Sequence, residues 1–300
     1  MTMDLYKELA NRVDELTPEP GVHSTNIANL SLIKSCDVMT NRIPVIYDPC
    51  IYIVVQGSKS AALGSEEFIY DALNYLVLSV PLPLECQIQQ ASKEEPYLAV
   101  KIDIDKQVLS ELIQESTKPK KAEPTNPQPG IFVSKLGEDI KSTLARLLSL
   151  IDKPEQALVL GKLTIKELIF HVLNGAQGAS LRAFAFQDRQ NFQIAKVIGF
   201  IQNHYSENIE VAELAAKANM SQSSFHSYFK SVTSSSPIQY IKAIRLHAAR
   251  RNMLFNKLSA SDAAYHVGYS SPSQFSREYR RLFGSPPSVD IQASNRNEYE

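Results

Sequence analysis

Residues 267–287 read VGYSSPSQFSREYRRLFGSPP, and this stretch decides the fold of the C-terminal third. Gly268 marks a turn, Ser271 stands at an N-cap position and Pro272 at the favoured first helical position. Phe275, Tyr279 and Leu282 then recur at helical spacing as a core-facing stripe. The same unit occurs once before. LAAKANMS at 214–221 parallels AAYHVGYSS at 263–271, and Ser221, Phe225, Phe229 and Pro237 each stand 50 residues before Ser271, Phe275, Tyr279 and Pro287. Upstream of the turn the offset is 49, so the second turn is one residue longer. Two short helices about a tight turn, written twice, spell a pair of helix-turn-helix units, an architecture that reads DNA.

The details of each copy fit that geometry. Ala215 and Ala264 let a partner helix cross closely, and Asn219 and Gly268 tolerate the positive φ of the turn. Ser259 with Asp262 forms a capping-box pattern at the start of the second unit. Opposite the apolar stripe, Ser223, His226, Ser227 and Lys230 fall at i, i+3, i+4 and i+7, and their counterparts are Ser273, Ser276, Arg277 and Arg280. One polar, cationic stripe is as readily a solvated helix face as a groove reader; its recurrence in both copies favours the groove. Ser236-Pro237 opens a helix between the units that runs through Ile238, Ile241, Ile244 and Ala248 to about Phe255. At ~1.5 Å per residue it is roughly 30 Å long, close to the ~34 Å repeat of major grooves on one DNA face. A single chain can then set two recognition helices in successive grooves.

These residues, with Arg245-Leu246 and Ala249 in the linker helix, resemble the AraC/XylS-type transcriptional regulators over about 191–291. Ser234 departs from the family's glycine after the first recognition helix, and Ala260 from a larger aliphatic residue. The resemblance implies base contacts from Ser223, His226 and Ser227 in the first unit and Ser273, Gln274 and Arg277 in the second. Arg277 suits guanine O6 and N7, and Gln274 suits adenine. The same run leaves open a packing role for Arg277 or Glu278. Ser221, Lys230, Ser271, Arg280 and Arg281 are the phosphate-contact candidates, together with the amides at the helix N-termini. Arg245 is expected to brace the linker helix through a carboxylate; Arg250 and Arg251 remain open between phosphate and solvent. Double-stranded promoter DNA is the implied partner, with RNA polymerase a further one.

Charge divides the chain in the same way. Residues 191–300 carry 12 basic and 8 acidic side chains, whereas residues 1–190 carry 19 and 24. A basic reader joined to an acidic partner domain suits a regulated DNA binder, and residues 191–300 are expected to bind duplex DNA by themselves. Three cysteines without CxxC spacing read as reduced core thiols, the N-terminus reads as an amphipathic helix rather than a signal peptide, and no apolar run reaches membrane-span length. The expected location is the cytoplasm.

Residues 22 to about 105 read as strands: Ile51–Val55, Ala61–Leu63, Phe68–Tyr70, Tyr75–Val80 closed by Pro81-Leu82-Pro83, Cys86–Ile88 and Tyr97–Ile104. The wording YDPCIYIVVQGSKSAALG, FIYDALNYLVLSVPLP and ASKEEPYLAV resembles the cupin-like N-terminal domain of one AraC-regulator subgroup. A cupin fold raises the alternative of a cupin-fold sensor or enzyme with a secondary DNA-binding tail. Only His23 of the six histidines precedes residue 171, so a His-rich metal site is not expected in the barrel, and neither a cofactor nor catalysis is expected. Alternation along the strands sets Tyr52, Val54 and Gln56 against Tyr75, Val77 and Ser79 as candidate lining of a small-molecule effector pocket. STKPKKAEPTNPQP at 116–129 reads as a linker, and 135–151, 158–173 and 179–187 read as helices that pack on the barrel or pair with a second chain. The resemblance implies a homodimer contact there.

The expected class is α+β: a cupin-like β-barrel plus helices, then an all-α domain of two helix-turn-helix units joined by a linker helix. The expected division is an N-terminal helix at 1–21, the barrel at 22–115, a linker and helical segment at 116–190, and the DNA reader at 191–300.

Overall fold

The computed structural model describes residues 2–39, 41–115, 128–185 and 190–297. Of the expected linker, 116–129, only Gln128 and Pro129 lie within them. Helix α1 (Thr2–Leu16) precedes strands β1 (Gly21–Ser24), β2 (Leu30–Ser35), β3 (Ile43–Tyr47), β4 (Cys50–Gln56), β5 (Ser58–Leu63), β6 (Glu66–Asp71), β7 (Asn74–Leu78), β8 (Leu82–Gln90) and β9 (Tyr97–Asp103). Then come α2 (Lys106–Glu115) and β10 (Ile131–Lys135). The strands form a six-stranded sheet, ordered β1-β2-β9-β4-β7-β10, facing a four-stranded sheet, ordered β3-β8-β5-β6, with antiparallel pairing throughout. The sheet therefore does not stop at residue 115; β10 pairs with β7 and closes its edge. Pro81 separates β7 from the next strand, but Leu82 and Pro83 already belong to that strand. β8 begins at Leu82, and Pro83 lies opposite Ile46 of the edge strand β3.

The centre of the larger sheet is buried on both faces, which is why β4 reads as the unbroken apolar run CIYIVV. Ile51, Ile53 and Val55 face an outer layer made by α1 with α3 (Glu138–Ser149), α5 (Lys162–Asn174) and α6 (Gly178–Ala183). Cys50, Tyr52 and Val54 face the smaller sheet. This corrects the expected pocket. Tyr52 pairs with Leu76 and Ile53 with Tyr75, so the β7 residues sharing the face of Tyr52 and Val54 are Leu76 and Leu78. Tyr75 and Val77 belong to the helix-covered face, and the Gln56 amide is spent on the Pro96 carbonyl at 2.9 Å.

The helix expected from residue 135 starts at Glu138, because Lys135 still pairs in β10 and Gly137 takes the N-cap. α5 is entered through a short helix α4 (Pro154–Gln156) and a π-helical turn, Ala157–Gly161. The remaining helices are α7 (Gln190–His204), α8 (Val211–Lys217), α9 (Gln222–Thr233), α10 (Pro237–Phe255), α11 (Ala260–His266), α12 (Pro272–Phe283) and α13 (Pro287–Asn297). They enclose two cores of different kinds. Phe225, Phe229, Val232, Tyr240 and Ile244 continue, without a break, the apolar cluster inside the barrel. Phe275, Tyr279, Val267, Leu246 and Met253 form a separate one.

Candidate nucleic-acid interface

Helices α8–α9 and α11–α12 are the two helix-turn-helix units, and their local geometry follows from a few residues. Ser221, Ser236, Ser259 and Ser271 each accept a hydrogen bond from the backbone N–H three residues on, capping α9, α10, α11 and α12. Asn219 and Gly268 take positive φ at the turns, 54° and 88°. At Gly268 a side chain would also meet the Ser206 carbonyl at 2.3 Å. Ser234, standing in for a glycine, is held left-handed at φ 51°, while Gly284 takes the equivalent position in the second unit.

The polar stripes face outward. Ser223, His226, Ser227 and Lys230 on α9 are exposed, as are Ser273, Gln274, Arg277, Arg280 and Arg281 on α12. Among the described residues Lys230, Arg277, Arg280 and Arg281 form no ion pair, so four cations stand available to an anionic partner. Ser221 and Ser271 are partly committed: each hydroxyl already holds a cap, and Ser221 also exchanges hydrogen bonds with Ser223 and Ser224. Their phosphate contacts would come from the helix N-terminal amides they organise.

One residue of the second unit organises the others. The Glu278 carboxylate accepts from Lys242 Nζ at 2.7 Å, the Tyr269 hydroxyl at 2.8 Å and Gln274 Nε2 at 3.0 Å. Burial opposes its ionisation, but these three bonds outweigh burial and hold its pKa below the ordinary glutamate value. It ties α12 to α10 and fixes the orientation of the Gln274 amide. The signal was present in sequence, as Gln274 and Glu278 are an i, i+4 pair on one helix face. Position 228 of the first unit, the counterpart of Glu278, is Tyr228, so α9 has no equivalent clamp.

Arg245 does brace α10, but not through a carboxylate. Its guanidinium donates to three backbone carbonyls, of Tyr205 at 2.6 Å, Glu207 at 2.7 Å and Gly268 at 3.1 Å, and so pins α7 and the second turn to the linker helix. Arg250 is paired with Asp290 of α13 at 2.7 Å, and the Tyr279 hydroxyl shares that carboxylate at 2.6 Å. Arg251 lines a cleft against the barrel.

The reader is bonded to the barrel at its first unit. The buried Tyr240 hydroxyl donates to the Pro81 carbonyl at 2.8 Å, and Gly130 N–H donates to the Val232 carbonyl at 3.0 Å. Asn191 Nδ2 donates to the Gln128 carbonyl at 2.8 Å. The edge strand β3 packs on both α10 and α12.

A two-sheet barrel flanked by helices, bonded to two capped helix-turn-helix units with outward cationic stripes, defines a DNA-binding regulator. Residues 26–180 match the profile of the AraC-type transcriptional regulator N-terminus, and residues 214–292 that of a helix-turn-helix domain. The virulence regulon transcriptional activator VirF of Yersinia enterocolitica is 24% identical over 245 residues, spanning 79% of this chain and 87% of VirF. The probable transcriptional regulator LumQ of Photobacterium leiognathi is 33% identical over 108 residues, spanning 36% of this chain and 44% of LumQ. ToxT from Vibrio cholerae shares the fold, with a TM-score of 0.60 at 11% identity over 87% of this chain and 97% of ToxT. The chain belongs to the AraC-type transcriptional regulators, and it is a transcription regulator that binds DNA through its helix-turn-helix domain.

Proposed function

We propose that one chain reads an asymmetric promoter site by setting α9 and α12 in successive major grooves, and that the N-terminal barrel and its helices regulate this reading. The observation that carries the proposal is α10. Its 19 residues span roughly 28 Å at ~1.5 Å per residue, and it holds both exposed stripes on one rigid element. Arg277, with Gln274 oriented by Glu278, reads bases in the second unit; Ser223, His226 and Ser227 do so in the first; Lys230, Arg280 and Arg281 hold phosphates. The protein acts in the cytoplasm as a binder rather than a catalyst, with RNA polymerase as its partner at the promoter.

Dimerisation is assigned to an apolar stripe on the outer helices. Val159, Leu163 and Phe170 are exposed while Ile165, Leu168, Ile169 and Val172 of the same segment are buried. An exposed line of this kind fits a second copy of the chain.

Selection of bound genomic fragments by the full chain, followed by hydroxyl-radical footprinting, tests the reading. The expected result is a preferred site with two protected patches about one helical turn apart on the same DNA face. A single patch, or no preference over random duplex, refutes it.

A further inference from the structure

A glutamine near the tip of a recognition helix is by itself an ambiguous reader. Its amide offers an acceptor at Oε1 and donors at Nε2, and a half-turn about the last side-chain bond exchanges them. One setting serves adenine, where N6 donates and N7 accepts. The other brings the donors to guanine, whose O6 and N7 only accept. Gln274 is the third residue of α12, in the N-terminal turn that meets base edges in helix-turn-helix units, and it is exposed. Its backbone N–H donates to the capping Ser271 hydroxyl at 3.3 Å, so the main chain of that turn is fixed.

The amide is fixed too. Nε2 of Gln274 donates at 3.0 Å to Oε1 of Glu278, one helical turn on, and a carboxylate only accepts. Turning the amide over would set its Oε1 against Oε1 of Glu278, two acceptors with no hydrogen between them, and would forfeit a charge-assisted bond. The carboxylate itself does not yield. Lys242 of α10 donates to Oε1 at 2.7 Å and the Tyr269 hydroxyl to Oε2 at 2.8 Å. Tyr269 is buried and packs edge-on against Phe275, with ring centroids 5.4 Å apart, so the carboxylate is tied to a core residue. One Nε2 hydrogen is thus spent inside the protein. One donor and one acceptor of Gln274 are left for a base.

We infer that Glu278 is a positioning residue for sequence specificity: by fixing which end of the Gln274 amide meets the base, it selects adenine over guanine at one position of the site. This rests on the reading that α12 enters a major groove, and it adds how one base of that groove is discriminated. Lys242 makes the arrangement compatible with DNA, because it neutralises an acid that would otherwise face phosphates unpaired. The first unit lacks this filter. Its counterparts of Gln274 and Glu278 are Ser224 and Tyr228, and the Ser224 hydroxyl is taken up by that of Ser221 at 3.0 Å. Discrimination by a clamped amide is therefore confined to the second unit.

The test measures competition binding of the full chain to its selected genomic site and to every single-base variant of that site. Wild type is expected to show one position where adenine is preferred to guanine by about tenfold or more, as a bidentate pair gives. Gln274→Ala should flatten that position and leave the others as they were. Glu278→Gln keeps the shape but accepts either end of the Gln274 amide, and it should lower the adenine-to-guanine ratio there by about threefold or more. When residue 274 is already alanine, the same substitution should change nothing at that position. A merely structural tie between α12 and α10 gives a different result: Glu278→Gln then weakens all sequences alike with the ratio intact, and that outcome overturns the inference. Gln274→Ala alters an exposed side chain and decides the matter if the Glu278 variant does not fold, since a base profile identical to wild type also overturns it. Wild type without preference for any sequence removes the groove reading as well, whereas a preferred site with no Gln274-dependent adenine overturns this inference alone.

Discussion

Lowering the pH from 7.5 to 5 should cost this protein about 2 kcal/mol of stability through one residue of the linker helix. His247 on α10 lines a cleft of about 400 Å³ between α7, α10 and the barrel, where Asp48 and Arg251 are its charged neighbours. Its Nε2 is buried without a partner, and its ring meets Phe283 edge-on at 5.1 Å. Burial, with Arg250 nearby adding to the effect, pulls its pKa down from the ordinary 6.5 to about 4. The folded state thus holds a neutral imidazole between those values while the unfolded chain takes up a proton. Stability is fully present above pH 6.5 and declines as pH falls toward 4. At ~1.36 kcal/mol per pKa unit the whole window is worth about 3 kcal/mol, of which about 2 is lost by pH 5. The assay is urea unfolding followed by far-UV circular dichroism at pH 7.5 and 5.0, on wild type and His247→Leu. Leucine changes the absolute stability, but only the loss between the two pH values enters the comparison, and that loss should be about 2 kcal/mol smaller in the variant. An equal loss in the two proteins would refute the buried neutral imidazole.

Three further outcomes are expected. Arg277→Ala should cost about 1–3 kcal/mol on the preferred site and relax preference at one base position, while Lys230→Ala weakens all sequences alike and lowers the salt slope by about 1; indistinguishable profiles on a single-base-variant panel would remove the distinction between base and phosphate contacts. Tyr240→Phe strands the buried Pro81 carbonyl and should cost about 1–2 kcal/mol in urea unfolding, so an unchanged midpoint would show that the bond between reader and barrel contributes nothing. Leu163→Glu places a charge in the exposed stripe of α5 and should shift sedimentation from dimer to monomer; a variant that stays dimeric would move the interface elsewhere.

Where local rules decide, sequence was a sufficient guide. Four serine caps and the positive-φ turn residues Asn219 and Gly268 act through bonds three or four residues away, and α10 begins at Pro237 and ends at Phe255, as its cap and periodicity indicate. Long-range facts were hidden. In a strand such as β4, buried on both faces, apolar alternation carries no parity, so Tyr52 could be matched to Tyr75 although its register partner is Leu76. Arg245 called for a carboxylate by charge, yet three carbonyls from two distant segments answered it. Lys59 reads in the chain as one more surface lysine until β4, β6 and β9 close over it. The same limit applies to the repeat itself. The two helix-turn-helix units superpose in sequence, but the first shares its core with the barrel and the second has its own. Tyr240, Ile241 and Ile244 of α10 belong to the first cluster, Leu246, Ala248, Ala249 and Met253 to the second. Any shift of the barrel relative to the second recognition helix must therefore be carried by, or resisted at, the middle of α10, beside Arg245 and His247. Two copies of one motif have acquired unequal mechanical roles: one is anchored to the barrel, and the other is held at the far end of the lever.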